Sequence, residues 1–137
     1  MFLLPTKLVS PTENFKYSFN VSITNMEELI KNIKQILKSA DLVYDNQDYT
    51  SATMLYFKAF FITLDYIILK KQGKTPKDHT ERFRILEADF PELYELLDRN
   101  FPTYRQTYST TIPKDKCEEI KKDVKETIEK YNIPINN

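Results

Sequence analysis

Between positions 99 and 108 the chain reads Arg-Asn-Phe-Pro-Thr-Tyr-Arg-Gln-Thr-Tyr. Two arginines, two tyrosines and an amide in so short a stretch can form a surface that contacts phosphate or a nucleotide. Arginine supplies a planar fork of donors that matches a phosphate, and tyrosine supplies a stacking face with a hydroxyl. The competing reading is structural: Tyr104 and Tyr108, four apart, anchor the segment to a core while the arginines pair with Asp98 or Glu95. The candidate binding residues are Arg99, Asn100, Tyr104, Arg105 and Tyr108, joined by His79, Lys74 and Lys77. The last three belong to a polar loop that follows Lys70 and Lys71 and forms the most basic stretch of the chain.

His79 is the one histidine. No serine sits in a recognisable strained elbow, so a Ser-His-Asp triad is not indicated. At the mouth of a helix, His79 fits N-terminal capping or packing, with a polar site role as the alternative. Asp65 interrupts a strongly apolar helix between Leu64 and Tyr66. A carboxylate in such surroundings needs a partner, and a tyrosine or arginine across the bundle is the expected one. With one Cys and one His, neither thiolate nor histidine-rich metal sites can be assembled. The single Gly73 excludes Walker and dinucleotide loops, which require several glycines. No cofactor is expected.

The elements that must position these residues are helical. Thr24 and Glu27 have capping-box spacing, and Met26, Leu29, Ile30, Ile33, Ile36, Leu37, Ala40 and Val43 follow the 3.6-residue period. A second helix runs from an Asp48 cap to about Lys71, where Gly73 terminates it. Its apolar residues cover nearly the whole circumference, so it is either central in its domain or covered by a second subunit. A third helix begins near Thr80, and Pro91 ends it and opens a fourth. Pro102 interrupts that fourth run, and Pro113 opens a last helix to about Tyr131. The predicted fold is all-α: an up-and-down bundle of four to five helices with a long central helix, spanning residues 24–131. Residues 1–23, with a weak period of two at Tyr17, Phe19, Val21 and Ile23, form an N-terminal arm or tail, and residues 132–137 a frayed tail.

Lys plus Arg and Asp plus Glu are 20 each, so any polyanion must be met by a local patch rather than a basic excess. Met1-Phe2-Leu3-Leu4-Pro5 is too short for the core of a signal peptide. The apolar stretch Met54 to Leu69 is broken by Lys58 and Asp65 and falls short of the roughly 20 residues of a membrane span. A lone cysteine suits a reducing compartment. The expected location is the cytoplasm, with no membrane partner.

A first amphipathic helix is followed by Asp48-Tyr49-Thr50-Ser51-Ala52 and Leu55-Tyr56-Phe57-Lys58-Ala59-Phe60-Phe61. Then come Pro76-Lys77-Asp78-His79, Phe90-Pro91-Glu92-Leu93 and an Arg-containing turn before the last helix. This order resembles the HEPN domains over roughly residues 26–131. The resemblance implies a small helical bundle, often a homodimer, encoded beside a nucleotidyltransferase. Many members align an Arg-x4-6-His motif from each subunit to cleave RNA without metal, with Arg stabilising the phosphorane and His moving the 2′-hydroxyl proton. Here Arg99-Asn100 opens such a motif, but the His position falls among Tyr104, Arg105 and Gln106. Counting from Arg105 reaches Ser109, Thr110 and Thr111. Tyrosine, with a pKa of about 10, is a poor base at neutral pH. The resemblance therefore implies a non-catalytic HEPN-like domain that dimerises and binds a nucleotide, RNA or a partner protein such as a nucleotidyltransferase. The alternative is a toxin-type, metal-independent endoribonuclease of a toxin–antitoxin pair, using Arg99 or Arg105 with Tyr104 or His79.

Overall fold

The structure is a computed structural model that describes residues 11–136, with side chains described from Asn25 onward. It is an all-α bundle of five helices: α1 (Pro11–Asp45), α2 (Tyr49–Gln72), α3 (His79–Asp89), α4 (Pro91–Gln106) and α5 (Lys114–Lys130). Among the described residues there is no strand.

Helix α2 is the centre. Its Asp48 carboxylate accepts from the Ser51 amide at 3.1 Å, which satisfies one of the orphan donors of the first turn. Gly73 closes it in the left-handed region, at φ 83°, and its N–H reaches the Leu69 carbonyl at 2.8 Å. In between, Ala52, Tyr56, Phe57, Ala59, Phe60, Leu64 and Ile68 have no exposed surface at all. Helices α1, α4 and α5 pack directly on it. Its apolar circumference is therefore filled by its own chain. By length and composition alone α2 is apolar enough to cross a membrane, contrary to the expectation from its charged interruptions, yet 72% of its most apolar window is buried inside the bundle.

Helix α1 contributes Ile33, Leu37 and Ala40 to this core, and α5 contributes Cys117, Ile120, Val124 and Ile128. The three-residue turn at Asn46–Asp48, with Gln47 at φ 66°, folds α1 back on α2. Helix α3 packs chiefly on α4. Phe83 meets Tyr94 and Phe101 edge-on, at 6.1 and 4.9 Å between ring centroids. Pro91 opens α4 at its first turn, where its missing N–H costs nothing.

Three boundaries differ from the sequence reading. Helix α1 starts at Pro11, so Thr24 and Glu27 lie inside it and do not cap it. The residues read as alternating also belong to a stripe at spacings of three and four, Phe15, Phe19, Ile23, Met26, Ile30 and Ile33, and that longer period prevails. The arm assigned to residues 1–23 otherwise concerns residues 1–10, which lie outside the described residues. Helix α4 runs through Pro102 to Gln106. Both Pro102 and Asp98, whose carbonyl loses its donor, are exposed, so water can serve that carbonyl, while buried Leu97, Asn100 and Thr103 hold the other face. Finally, the segment after α5 is docked. Ile133 is buried, its N–H bonds the Ile128 carbonyl at 3.0 Å, and Ile135 packs against the core. Asn137 lies outside the described residues.

A Cβ at position 73 would meet nothing within 4 Å, so the cost of Gly73→Ala is backbone strain alone. The expected loss is about 1 kcal/mol, read as a fall in Tm of about 3–6 °C in thermal unfolding followed by circular dichroism.

Candidate functional site

Asp65, one turn from the end of the fully buried part of α2, meets Arg82 of α3. The guanidinium Nε donates to Oδ1 at 2.7 Å and one terminal nitrogen to Oδ2 at 2.9 Å, a two-pronged pairing. The two side chains are only 9% and 16% exposed. The remaining terminal nitrogen of Arg82 lies 2.6 Å from Nδ1 of His79. Arginine has donors and no acceptor, so Nδ1 must offer its lone pair, and the ring proton then sits on Nε2. Partial burial, then the adjacent Arg82 charge, holds the His79 pKa below its usual value. At neutral pH the ring is uncharged, and its Nε2 is a donor.

The sequence builds this corner with local caps. Asp78 accepts from the Glu81 amide at 2.8 Å, and Glu81 in turn accepts from the Lys77 amide at 3.0 Å. That fixes the start of α3 and sets His79 in its first turn. Phe101 and Tyr104 of α4 and Tyr108 of the turn that follows it lie at spacings of three and four. Tyr104 sits edge-on to Phe61 at 5.0 Å and 5.8 Å from His79, while Phe61 and His79 are 4.6 Å apart. The Tyr104 and Tyr108 hydroxyls share a hydrogen bond of 2.9 Å. That bond, with burial, pushes the Tyr104 hydroxyl up to about 12.

Phe61, Asp65, Asp78, His79, Arg82, Tyr104 and Tyr108 line an open cleft of about 420 Å³, completed by Met54, Lys58, Ile62 and Thr107. Met54 and Tyr108 are two of the large hydrophobic side chains that the described surface exposes, at 46% and 74%. Lys58, one turn along α2 from Met54, has no hydrogen bond or ion pair among the described residues. The cleft thus offers aromatic faces, an imidazole N–H, a hydroxyl pair and one uncommitted cation.

Of the residues singled out from the sequence, His79, Tyr104 and Tyr108 are brought together here. Arg99 and Asn100 are not. They turn toward α5 and share Asp123, whose Oδ2 accepts from Arg99 at 2.9 Å and from Asn100 at 2.8 Å. Asn100 also donates to the Leu96 carbonyl at 2.9 Å. Arg105, Lys74 and Lys77 are exposed and do not line the cleft. Sequence reasoning missed Arg82, Lys58 and Met54. A signal for two of them existed: Met54, Lys58, Phe61 and Asp65 recur at spacings of three and four, a mixed stripe on an otherwise apolar helix.

A second, larger groove of about 680 Å³ lies between α1, α5 and the C-terminal segment. Two of its charged groups, Asp41 and Lys125, are spent on each other. Asp41 accepts from Lys125 at 3.0 Å through both oxygens and from the Tyr56 hydroxyl at 2.5 Å. Burial and that carboxylate push the Tyr56 hydroxyl far up. Among the described residues, no three His, Cys, Asp or Glu side chains converge to hold a metal ion.

Two outcomes test this corner. Asp65→Ala strands Arg82 without its carboxylate and should cost about 3–5 kcal/mol of stability, whereas Asp65→Ala combined with Arg82→Met should recover most of it. Urea unfolding of the three proteins reads the difference. His79 has a folded pKa below its unfolded value of 6.5, so the folded protein binds fewer protons and loses stability as pH falls below 6.5. In His79→Asn that first part of the acid slope should vanish. The part due to Asp48 and Glu92, whose carboxyls are held low by the Ser51 amide and by Lys130, should remain at lower pH.

No known protein family, characterised protein or solved structure matches this chain, so the meaning of the cleft rests on its own geometry.

Proposed function

We propose that the chain is a non-catalytic, HEPN-like binding domain whose cleft takes a nucleotide, free or as part of an RNA strand. The state of His79 is the observation that carries this reading. A base in RNA cleavage needs a lone pair aimed at the 2′-hydroxyl, and the Nδ1 lone pair is engaged by Arg82 at 2.6 Å. Tyr104, with its hydroxyl raised to about 12, is a worse base still. Arg99, the residue that opens the degenerate motif, is engaged by Asp123 on another face of α4. What the cleft retains is recognition: stacking faces, donors and a cation.

A homodimer and a nucleotidyltransferase partner belong to the same HEPN-like reading. The dimer draws no support from α2, whose apolar circumference is satisfied within one chain. A cytoplasmic setting accords with Cys117, a buried thiol whose pKa burial pushes up.

The endoribonuclease alternative is favoured by one observation, the convergence of His79, Arg82 and Tyr104 in a single cleft. Incubation of wild type, His79→Ala and Arg99→Ala with mixed RNA, without added metal, separates the two. The expected result is intact RNA in every lane. Fluorescence anisotropy with a labelled single-stranded oligoribonucleotide should show binding that survives Arg99→Ala and weakens by about tenfold or more in Tyr108→Ala. RNA cut by wild type and left whole by His79→Ala would establish the nuclease instead.

A further inference from the structure

Two cationic side chains line the cleft, Lys58 and Arg82. Arg82 is consumed by Asp65 and His79. The start of α3 also opens here, and a helix N-terminus is a common phosphate seat. The Asp78 carboxylate already fills it, bonded to the Glu81 amide at 2.8 Å. Asp65 is neutralised by Arg82, and Asp78 also borders the space, so a chain of phosphates would face the Asp78 carboxylate with one free cation, Lys58, to offset the charge.

The other half of the cleft is suited to a flat ring. Tyr108 and Met54 are exposed on its rim at 74% and 46%, and Tyr104 stands edge-on to Tyr108 at 5.6 Å. A heteroaromatic ring laid on Tyr108 would cover apolar surface that the chain leaves in water. The polar groups around it mainly donate. His79 carries its proton on Nε2 and lines the cleft, and the Tyr104–Tyr108 pair keeps one hydroxyl hydrogen after satisfying its own bond. Ring nitrogens and carbonyl oxygens of a nucleobase are the matching acceptors. A volume of about 420 Å³ lies toward the small end for a ligand site.

We infer that the cleft is selective for a nucleoside monophosphate, its base stacked at Tyr108 and His79 and its single phosphate met by Lys58, and that it does not take a polyphosphate. This rests on the nucleotide-binding reading above and narrows it. One base and one phosphate are also the repeating unit of a single RNA strand, so the experiment must separate the free unit from the strand.

Isothermal titration calorimetry of the full chain with adenosine, AMP, UMP and ATP, for wild type and Lys58→Met, tests this. Lys58 is exposed, and thermal unfolding checks that Lys58→Met stays folded. The expected pattern is AMP and UMP binding about tenfold or more tighter than adenosine, with ATP no tighter than AMP, and Lys58→Met removing the advantage of the phosphate. ATP bound about tenfold tighter than AMP would overturn the selectivity, as would a Lys58→Met effect equal on adenosine and AMP. Binding of an oligoribonucleotide with none of any mononucleotide would overturn it too, while leaving the broader reading intact. Failure of every nucleoside, nucleotide and RNA to bind would overturn both.

Discussion

Helix α2 is apolar on nearly every side, and such a helix must be covered on every side. Helices α1, α4 and α5 do most of this, burying more than half of its 24 residues. What remains is the stripe carrying Met54, Lys58 and Asp65, which α1 and α5 do not seal. The cleft is that incompletely covered stripe, walled by the start of α3 and the end of α4. Its position follows from where the coat around α2 stops, which makes the site a consequence of the packing rather than an addition to it.

Within that stripe, Asp65 sets the chemistry. A nearly buried ion pair gains little net stability, because desolvation offsets the attraction, and an apolar pair of similar volume would serve the fold as well or better. The Asp65–Arg82 pair is therefore weakly explained by stability and well explained by what it orients. Asp65 fixes the guanidinium, the guanidinium claims Nδ1 of His79, and the imidazole is left neutral with its proton on Nε2. Removing the first member of this chain would change the donor character of the last, although the hydrogen bonds run from Asp65 to His79 only through Arg82. Phe61 stiffens the arrangement from below, with the Arg82 guanidinium 5.1 Å from its ring centre.

The helices of this fold could be read from the sequence wherever caps and periods agreed. Asp48 and Gly73 bracket α2, and Pro91 opens α4, all at positions where the residue type has a single physical use. Boundaries failed where two periods shared the same residues, as at Phe19 and Ile23, or where a proline met a solvent-facing carbonyl, as at Pro102. The site was half legible for a related reason. His79, Tyr104 and Tyr108 stand out by type, and Asp65 by its apolar neighbours, which correctly demanded an arginine or tyrosine. Which arginine is a matter of tertiary geometry. Arg99 and Arg82 are equally good candidates on paper, and the packing of α3 against α4 sends the first to Asp123 and the second to Asp65. Lys58 is marked only by its place in the mixed stripe with Met54, Phe61 and Asp65, and that it makes no ion pair among the described residues is a matter of tertiary geometry.

A comparison of the two ionisable clusters shows why one of them reads as a site. Asp41, Lys125 and Tyr56 tie α1, α5 and α2 together, as Asp65, Arg82 and His79 tie α2 to α3, and in both a carboxylate holds a cation and a third polar group. At Asp41 the third group is a tyrosine hydroxyl whose only proton points at the carboxylate. At Asp65 the third group is an imidazole, which has two nitrogens and spends one. The difference lies in that third group and its surroundings, because the second imidazole nitrogen stands beside exposed Met54 and Tyr108 and a lysine that makes no hydrogen bond or ion pair among the described residues. A cluster whose third group keeps a donor, opening onto an apolar surface, can hold something that is not part of the chain as well as hold helices together.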